Sequence, residues 1–136
     1  MRKGKFLSRA GMSAIWKAGC LFGATGVLAG AFGAHGLKGF FGDDEIAKRK
    51  IDNWLTASHY QMVHSAALLA TGLRIAGPST AGILAGLLFA GGITAFSGSI
   101  YALVLIDNPK YKKILGPITP LGGLLFVAGW TCLAFV

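Results

Sequence analysis

Acidic side chains are nearly missing from this sequence. Five Asp and Glu stand among 136 residues, and none precedes Asp43. None falls inside a long apolar run, which excludes a carboxylate pair for acid–base work at membrane depth. Cysteine is scarcer still: Cys20 and Cys132 form no CxxC motif and no disulfide framework, so both are expected to be buried reduced thiols. Charge of either sign is thin, at 13% against about 25% in a soluble domain. A surface so poor in charge excludes an ordinary water-soluble globule.

The apolar residues fill that gap. They make up 54% of the chain, and mean hydropathy is +0.62. Ala18–Ala34, Asn53–Leu73, Ile75–Ile106 and Ile114–Val136 lack Asp, Glu, Lys and Arg. Each is near or above the roughly 17–25 residues that cross about 30 Å of hydrocarbon. The expected fold is all-α: an integral membrane four-helix bundle with spans at about 18–34, 55–74, 79–106 and 116–136, preceded by a basic segment at 1–17. An amphipathic interfacial helix is expected at about 43–54, before the second span.

The formal charge of +8 invites a nucleic-acid reading, which the distribution rejects. The basic residues sit at helix ends, with no solvated domain to carry a groove-reading surface. Juxtamembrane Lys and Arg instead contact anionic headgroups, cardiolipin among them, and set topology. Arg2, Lys3, Lys5, Arg9 and Lys17 accompany Ser8 and Ser13, with Phe6, Ala10 and Ala14 at helical spacing, as in a mitochondrial targeting segment that is retained. The same charges suit the positive-inside anchor of a bacterial protein, and composition does not separate the two. With four spans both termini share a side. Six Lys and Arg fall there against seven on the loop side, and the first helix favours N-in.

Glycine writes the packing. Gly19, Gly23, Gly26, Gly30 and Gly33 recur at steps of four, three, four and three, a stripe that lets a neighbouring helix approach closely. Gly33-Ala34-His35-Gly36 is expected to break this helix at the interface. A second ladder, Gly82, Gly86, Ala90, Thr94 and Gly98, is expected to pack against the first. No glycine or proline interrupts Asp43–Thr71. Asp43-Asp44-Glu45 suits a helix N-terminus, and Asp44–Lys48, Glu45–Arg49 and Lys48–Asp52 are spaced as i,i+4 ion pairs. Ala47, Ile51, Trp54, Leu55, Ser58 and Met62 form the opposite face. A helix from Asp43 to Arg74 would be about 48 Å long, so its first turns lie along the interface after a bend or project from it. Gly77-Pro78 is expected to separate the second and third spans. Asp107–Lys113 reads as a basic turn, and Gly116-Pro117-Ile118-Thr119-Pro120 opens the fourth span.

Topology brings the polar side chains to one leaflet. His35 closes the first span, His59, Tyr60, Gln61 and His64 lie on the second, and Ser97, Ser99 and Tyr101 on the third. Thr119 opens the fourth at the same side. His64 lies about 7 Å deeper than His59 by helical rise. An ionisable residue at such depth is a functional hypothesis by default. The competing reading is structural, with His64 bonding across the bundle to Ser97, Tyr101 or a carbonyl. A metal or haem site would need convergent ligands, yet His59 and His64 stand about 140° apart around one helix at roughly 100° per residue. No nucleophile–base set accompanies them, and no charged midplane residue or interrupted helix pair marks a transporter. No metal, cofactor or catalytic residue is therefore expected.

Several separated motifs have a familiar order. Gly33-Ala34-His35-Gly36, Ala57 followed by His64-Ser65-x-Ala67-Leu68-Leu69, Phe96 with Ser99 and Tyr101, and Pro120-x-Gly122-Gly123 with Gly129-Trp130 resemble the transmembrane protein 256 family. These are small four-helix membrane proteins of bacteria and mitochondria, and the resemblance covers about Ala18 to Ala134. It implies an inner-membrane location and supplies no catalytic residue; His35 and His64 match its pattern. The expected function is that of a non-catalytic accessory or assembly subunit of a larger inner-membrane complex, of the mitochondrial respiratory chain, with other membrane subunits and lipids as partners. The alternative is a small carrier or a haem-, quinone- or metal-binding protein using the cluster around His64.

Overall fold

The computed structural model describes the backbone of residues 2–74, 80–106 and 108–135, and the side chains of 11–73, 80–106 and 108–135. Helix α1 spans Arg2–Ala31, passes through a π turn at Phe32–Gly36 and continues as α2, Leu37–Phe41. Helix α3 spans Glu45–Arg74. Helix α4, Thr80–Gly92, leads through a second π turn, Ile93–Ser97, into α5, Gly98–Leu105, and α6 spans Pro109–Leu133. There are thus four rods and, among the described residues, no strand. Gly11–Phe41, Thr80–Leu105 and Pro109–Leu133 are each long and apolar enough to cross a membrane. The fourth rod, α3, has 30 residues, enough length to cross, and carries the polar side chains inward. It packs along α1 on one flank and along α4 and α5 on the other, while α6 packs along α4, the second π turn and α5.

Local chemistry explains most element ends. The Asp44 carboxylate accepts from the Ala47 N–H at 2.7 Å and caps α3. Lys48 bonds Glu45 at 2.8 Å, three residues away, instead of the expected four-residue partners. Lys38 meets Asp43 at 3.3 Å across the turn between α2 and α3. With no breaker after that cap, the amphipathic arm and the second span form one continuous helix. Its first turns are held against the bundle by Ala47 and Trp54, which are buried, and by Leu37 of α2.

The Gly33–Gly36 segment does not end the first span. A backbone at this depth has no water to take up freed N–H and C=O groups, so the helix stays bonded and widens by one residue, with the Leu37 N–H donating to Phe32 O. The rod ends at Gly42, whose φ of 88° favours glycine. The fourth helix also starts earlier than expected. The Asn108 side chain caps it by accepting from the Lys110 N–H at 2.9 Å, and Pro109 suits its first position. Lys110–Lys113 are consequently helical, with Pro117 and Pro120 inside the helix. The Gly77-Pro78 separation, Asp107, and the basic side chains of residues 2–9 and Arg74 lie outside the described residues.

The first glycine stripe finds its partner on α3. A Cβ at Gly19 would meet Leu69 at 2.9 Å, at Gly26 Met62 at 2.9 Å, at Gly30 Ser58 at 2.9 Å and at Gly33 Trp54 at 2.6 Å. The expected pairing of this stripe with the ladder on the third span is therefore corrected. A short turn makes α1–α2 and α3 antiparallel neighbours, and α3 takes up the glycine face. The ladder itself disperses: Gly82 and Gly86 are buried, Ala90 is half-buried, and Thr94 and Gly98 are exposed. Steps of four rotate about 40° each on a helix of 3.6 residues per turn, so the ladder winds off the buried face. The close approach of α4 to α6 uses Gly92, Gly122 and Gly129 against Phe126, Phe96 and Phe89. Cys20 is exposed on α1 instead of buried, and Cys132 is half-buried; both are free thiols.

A closed polar layer with an aromatic groove

Two apolar clusters bracket the polar side chains. Ile15, Leu68, Phe89 and Phe126 form one, and Leu37, Trp54 and Val104 the other. Between them α3 buries Ser58, Gln61, His64 and Ser65, while the second π turn and α5 bury Ser97 and Ser99. Removing such groups from water or from a partner costs about 1–3 kcal/mol each, so their bonding decides whether the layer stabilises the fold. No buried side-chain N or O atom lacks a partner among the described residues.

Gln61 is the hub of this layer. Its amide nitrogen donates to Phe22 O and to Thr25 Oγ1, both at 2.8 Å, and its oxygen accepts from the Tyr101 hydroxyl at 2.9 Å. One side chain thereby ties α3 to α1 and α5. Ser58 donates to Gly26 O at 3.1 Å, Ser97 to Ala57 O at 2.8 Å, and the Ser99 and Thr119 hydroxyls meet at 2.7 Å. Trp54 donates to Ala29 O at 2.7 Å and packs on the Tyr101 ring, 4.4 Å between centroids.

His64 is bonded at both nitrogens. Nδ1 lies 2.7 Å from Tyr60 O, and a carbonyl can only accept, so Nδ1 carries the proton. Nε2 then presents its lone pair to the Trp130 N–H at 3.2 Å. The ring stacks on Phe126 at 3.5 Å between centroids, with Phe89 5.8 Å away. A metal at Nε2 would have to displace the indole, and a proton there would face another donor. This is the structural reading of His64, with Trp130 in place of Ser97 or Tyr101 as the partner across the bundle. Trp130→Phe keeps an aromatic ring and removes the donor; the hydrogen-bond part of its cost, about 1 kcal/mol, is expected to vanish when His64→Leu is already present. Unfolding of the parent, the two single variants and the double variant in mixed micelles checks this, and additive losses would sink it.

The expected cluster divides. Gln61, His64, Ser97, Ser99 and Tyr101 belong to the layer. His35 does not: it is exposed and turned away, because Gly33 faces α3 and two residues further along the π turn is roughly the opposite side of the helix. His59 and Tyr60 are exposed at the rim of a groove of about 530 Å³ between α3 and α6, floored by His64 and Phe126 and walled by Phe96 and Trp130. Thr25 and Trp130 joined the site without being singled out. Thr25 stands between the stripe positions Gly23 and Gly26, and Trp130 was visible only as half of a Gly-Trp pair.

This arrangement defines a small polytopic membrane protein whose buried polar groups are closed on one another. Residues 29–123 match the family described as "Protein of unknown function (DUF423)". A UPF0382 membrane protein of Staphylococcus aureus is 44% identical over 116 residues, covering 85% of this chain and 87% of the relative. One of Staphylococcus epidermidis is 42% identical over 116 residues, with the same coverage of 85% and 87%. A UPF0382 membrane protein of Schizosaccharomyces pombe is 39% identical over 118 residues, 85% of this chain and 94% of the relative. The chain belongs to this family, of which transmembrane protein 256 is the eukaryotic member. No solved structure matches it.

Proposed function

We propose that this protein is a non-catalytic accessory subunit of a larger inner-membrane complex, of mitochondrial respiratory type. The observation that carries this reading is the closed polar layer. Gln61, His64, Ser97 and Ser99 each bond within the chain, so these buried polar groups join helices to one another. Its outer faces are long and apolar: Leu21, Val27 and Leu28 on α1 and Leu121, Leu124 and Val127 on α6 are exposed. Partner helices or lipid cover such surfaces in a membrane. The basic, acid-free N-terminus suits a mitochondrial placement and equally the positive-inside anchor of a bacterial inner-membrane protein. Mild extraction from native membranes, followed by native gels and identification of co-migrating chains, tests the proposal. The expected result is migration with defined larger partners; migration only as a free small protein in several mild detergents would overturn it.

A second reading rests on the groove beside His64, whose aromatic walls and outward opening suit a flat lipophilic ring. That reading expects the purified protein to retain a quinone or haem detectable in an organic extract. Clean protein with an unaltered fold removes it.

A further inference from the structure

A second groove lies on the loop side, where α3, α5 and α6 begin or end. It encloses about 610 Å³ and is lined by Arg49, Lys50 and Lys112 together with polar and apolar side chains. Two stripes face each other across it. On α3, Arg49, Asn53 and Thr56 stand at i, i+4 and i+7; on α6, Lys112, Gly116 and Thr119 repeat that spacing. Each stripe runs from a cation at the mouth to a hydroxyl about 10 Å deeper by helical rise. Ile100 and Val104 of α5 form the apolar floor. Gly116 keeps the middle open, since a Cβ there would meet nothing within 4 Å. Lys50 is positioned by the Phe41 ring, with its ammonium 4.8 Å from the centroid.

We propose that this groove binds an anionic phospholipid, with the headgroup phosphate among Arg49, Lys50 and Lys112, the glycerol and ester region over the apolar floor of Val104 and Ile100, and the hydroxyls of Thr56 and Thr119 at the deep end of the groove, where the acyl chains pass on into the hydrocarbon. Cations at the mouth, an apolar floor and hydroxyls about 10 Å deeper suit an anionic headgroup joined to an ester-linked apolar molecule. A free phosphate ion would use only the mouth. The site meets the polar layer only at Thr119, whose hydroxyl bonds Ser99, uses none of the contacts of His64, and is independent of whether the protein serves as a subunit.

The test uses the full chain in detergent, offered phosphatidylglycerol, phosphatidylcholine or inorganic phosphate, with retained molecules counted by native mass spectrometry. Phosphatidylglycerol is expected to be retained about tenfold or more over phosphatidylcholine, each basic side chain near a headgroup contributing appreciably. Arg49→Gln, Lys50→Gln and Lys112→Gln together should abolish that preference. Gly116→Leu, which leaves every charge in place and fills the groove, should abolish retention too. A control with Lys38→Gln, Lys110→Gln and Lys113→Gln removes equal charge from the same side and should retain the lipid. Unchanged helicity by circular dichroism is required of each variant, and Arg49→Lys, which preserves charge, replaces any that unfolds, with retention expected. Equal loss in the control, no effect of Gly116→Leu, or full displacement by millimolar phosphate would overturn the proposal.

Discussion

Gly122→Ala is expected to destabilise the bundle by about 1–3 kcal/mol or more, the cost of overpacking a close contact. A Cβ at Gly122 would lie 2.8 Å from Phe96 Cα and would press on the Phe96 backbone nitrogen. Backbone cannot rotate aside as the tip of a side chain can. The π turn that carries Phe96 is held from behind by the Ser97 bond to Ala57 O at 2.8 Å. Opposite, a Cβ at Gly92 would sit 3.2 Å from Gly122 O, so neither α4 nor α6 has slack at this crossing. The helices must separate along their length, opening the Phe89–Phe126 cluster. Gly123→Ala is the control, because its Cβ would meet the Phe96 ring at 3.9 Å, an ordinary contact. Reversible unfolding in mixed micelles should place Gly122→Ala well below the parent and Gly123→Ala beside it. Two alike curves would refute the crossing.

Gln61→Leu keeps volume and removes three hydrogen bonds, and its expected cost is about 2–6 kcal/mol at roughly 0.6–2 kcal/mol per bond within a membrane. The loss is not spread evenly. Thr25 still donates to Leu21 O at 2.8 Å, whereas the Tyr101 hydroxyl loses its acceptor, Gln61 Oε1. Tyr101→Phe should therefore recover part of the stability lost in Gln61→Leu while destabilising the parent. A double-mutant cycle reads that coupling directly, and its expected size is about 1 kcal/mol or more. Zero coupling would mean that Tyr101 and Gln61 act separately, contrary to the layer described.

Legibility in the sequence followed locality. Gly19, Gly23, Gly26, Gly30 and Gly33 could be read as one face because steps of four and three average close to the helical repeat. The Gly82–Gly98 ladder carried the same residue types yet lost the buried face, since steps of four alone rotate steadily away. Depth was legible too: residues along α3 and α5 fall at the levels their numbers imply. Direction around the helix was not, and His35 shows it. It lies past the level where Gly30 meets Ser58, and it points outward. The two π turns compound this, because an extra residue in a turn shifts every later side chain, and nothing in Phe32–Gly36 or Ile93–Ser97 announces it.

What the sequence determined by itself was that this chain is helical and membrane-bound, that the polar groups collect along α3 and α5, and that α1 presents a face of glycine. Those properties depend on hydropathy and spacing over a few turns. Only the tertiary structure decided that the glycine face takes α3, that Gln61 joins Thr25 to Tyr101, and that His64 takes Trp130, 66 residues away. A side-chain hydrogen bond needs depth, direction and axis separation matched within a few tenths of an ångström. Those are set jointly by the crossings at Gly122 and Gly33 and by the π turns beside them.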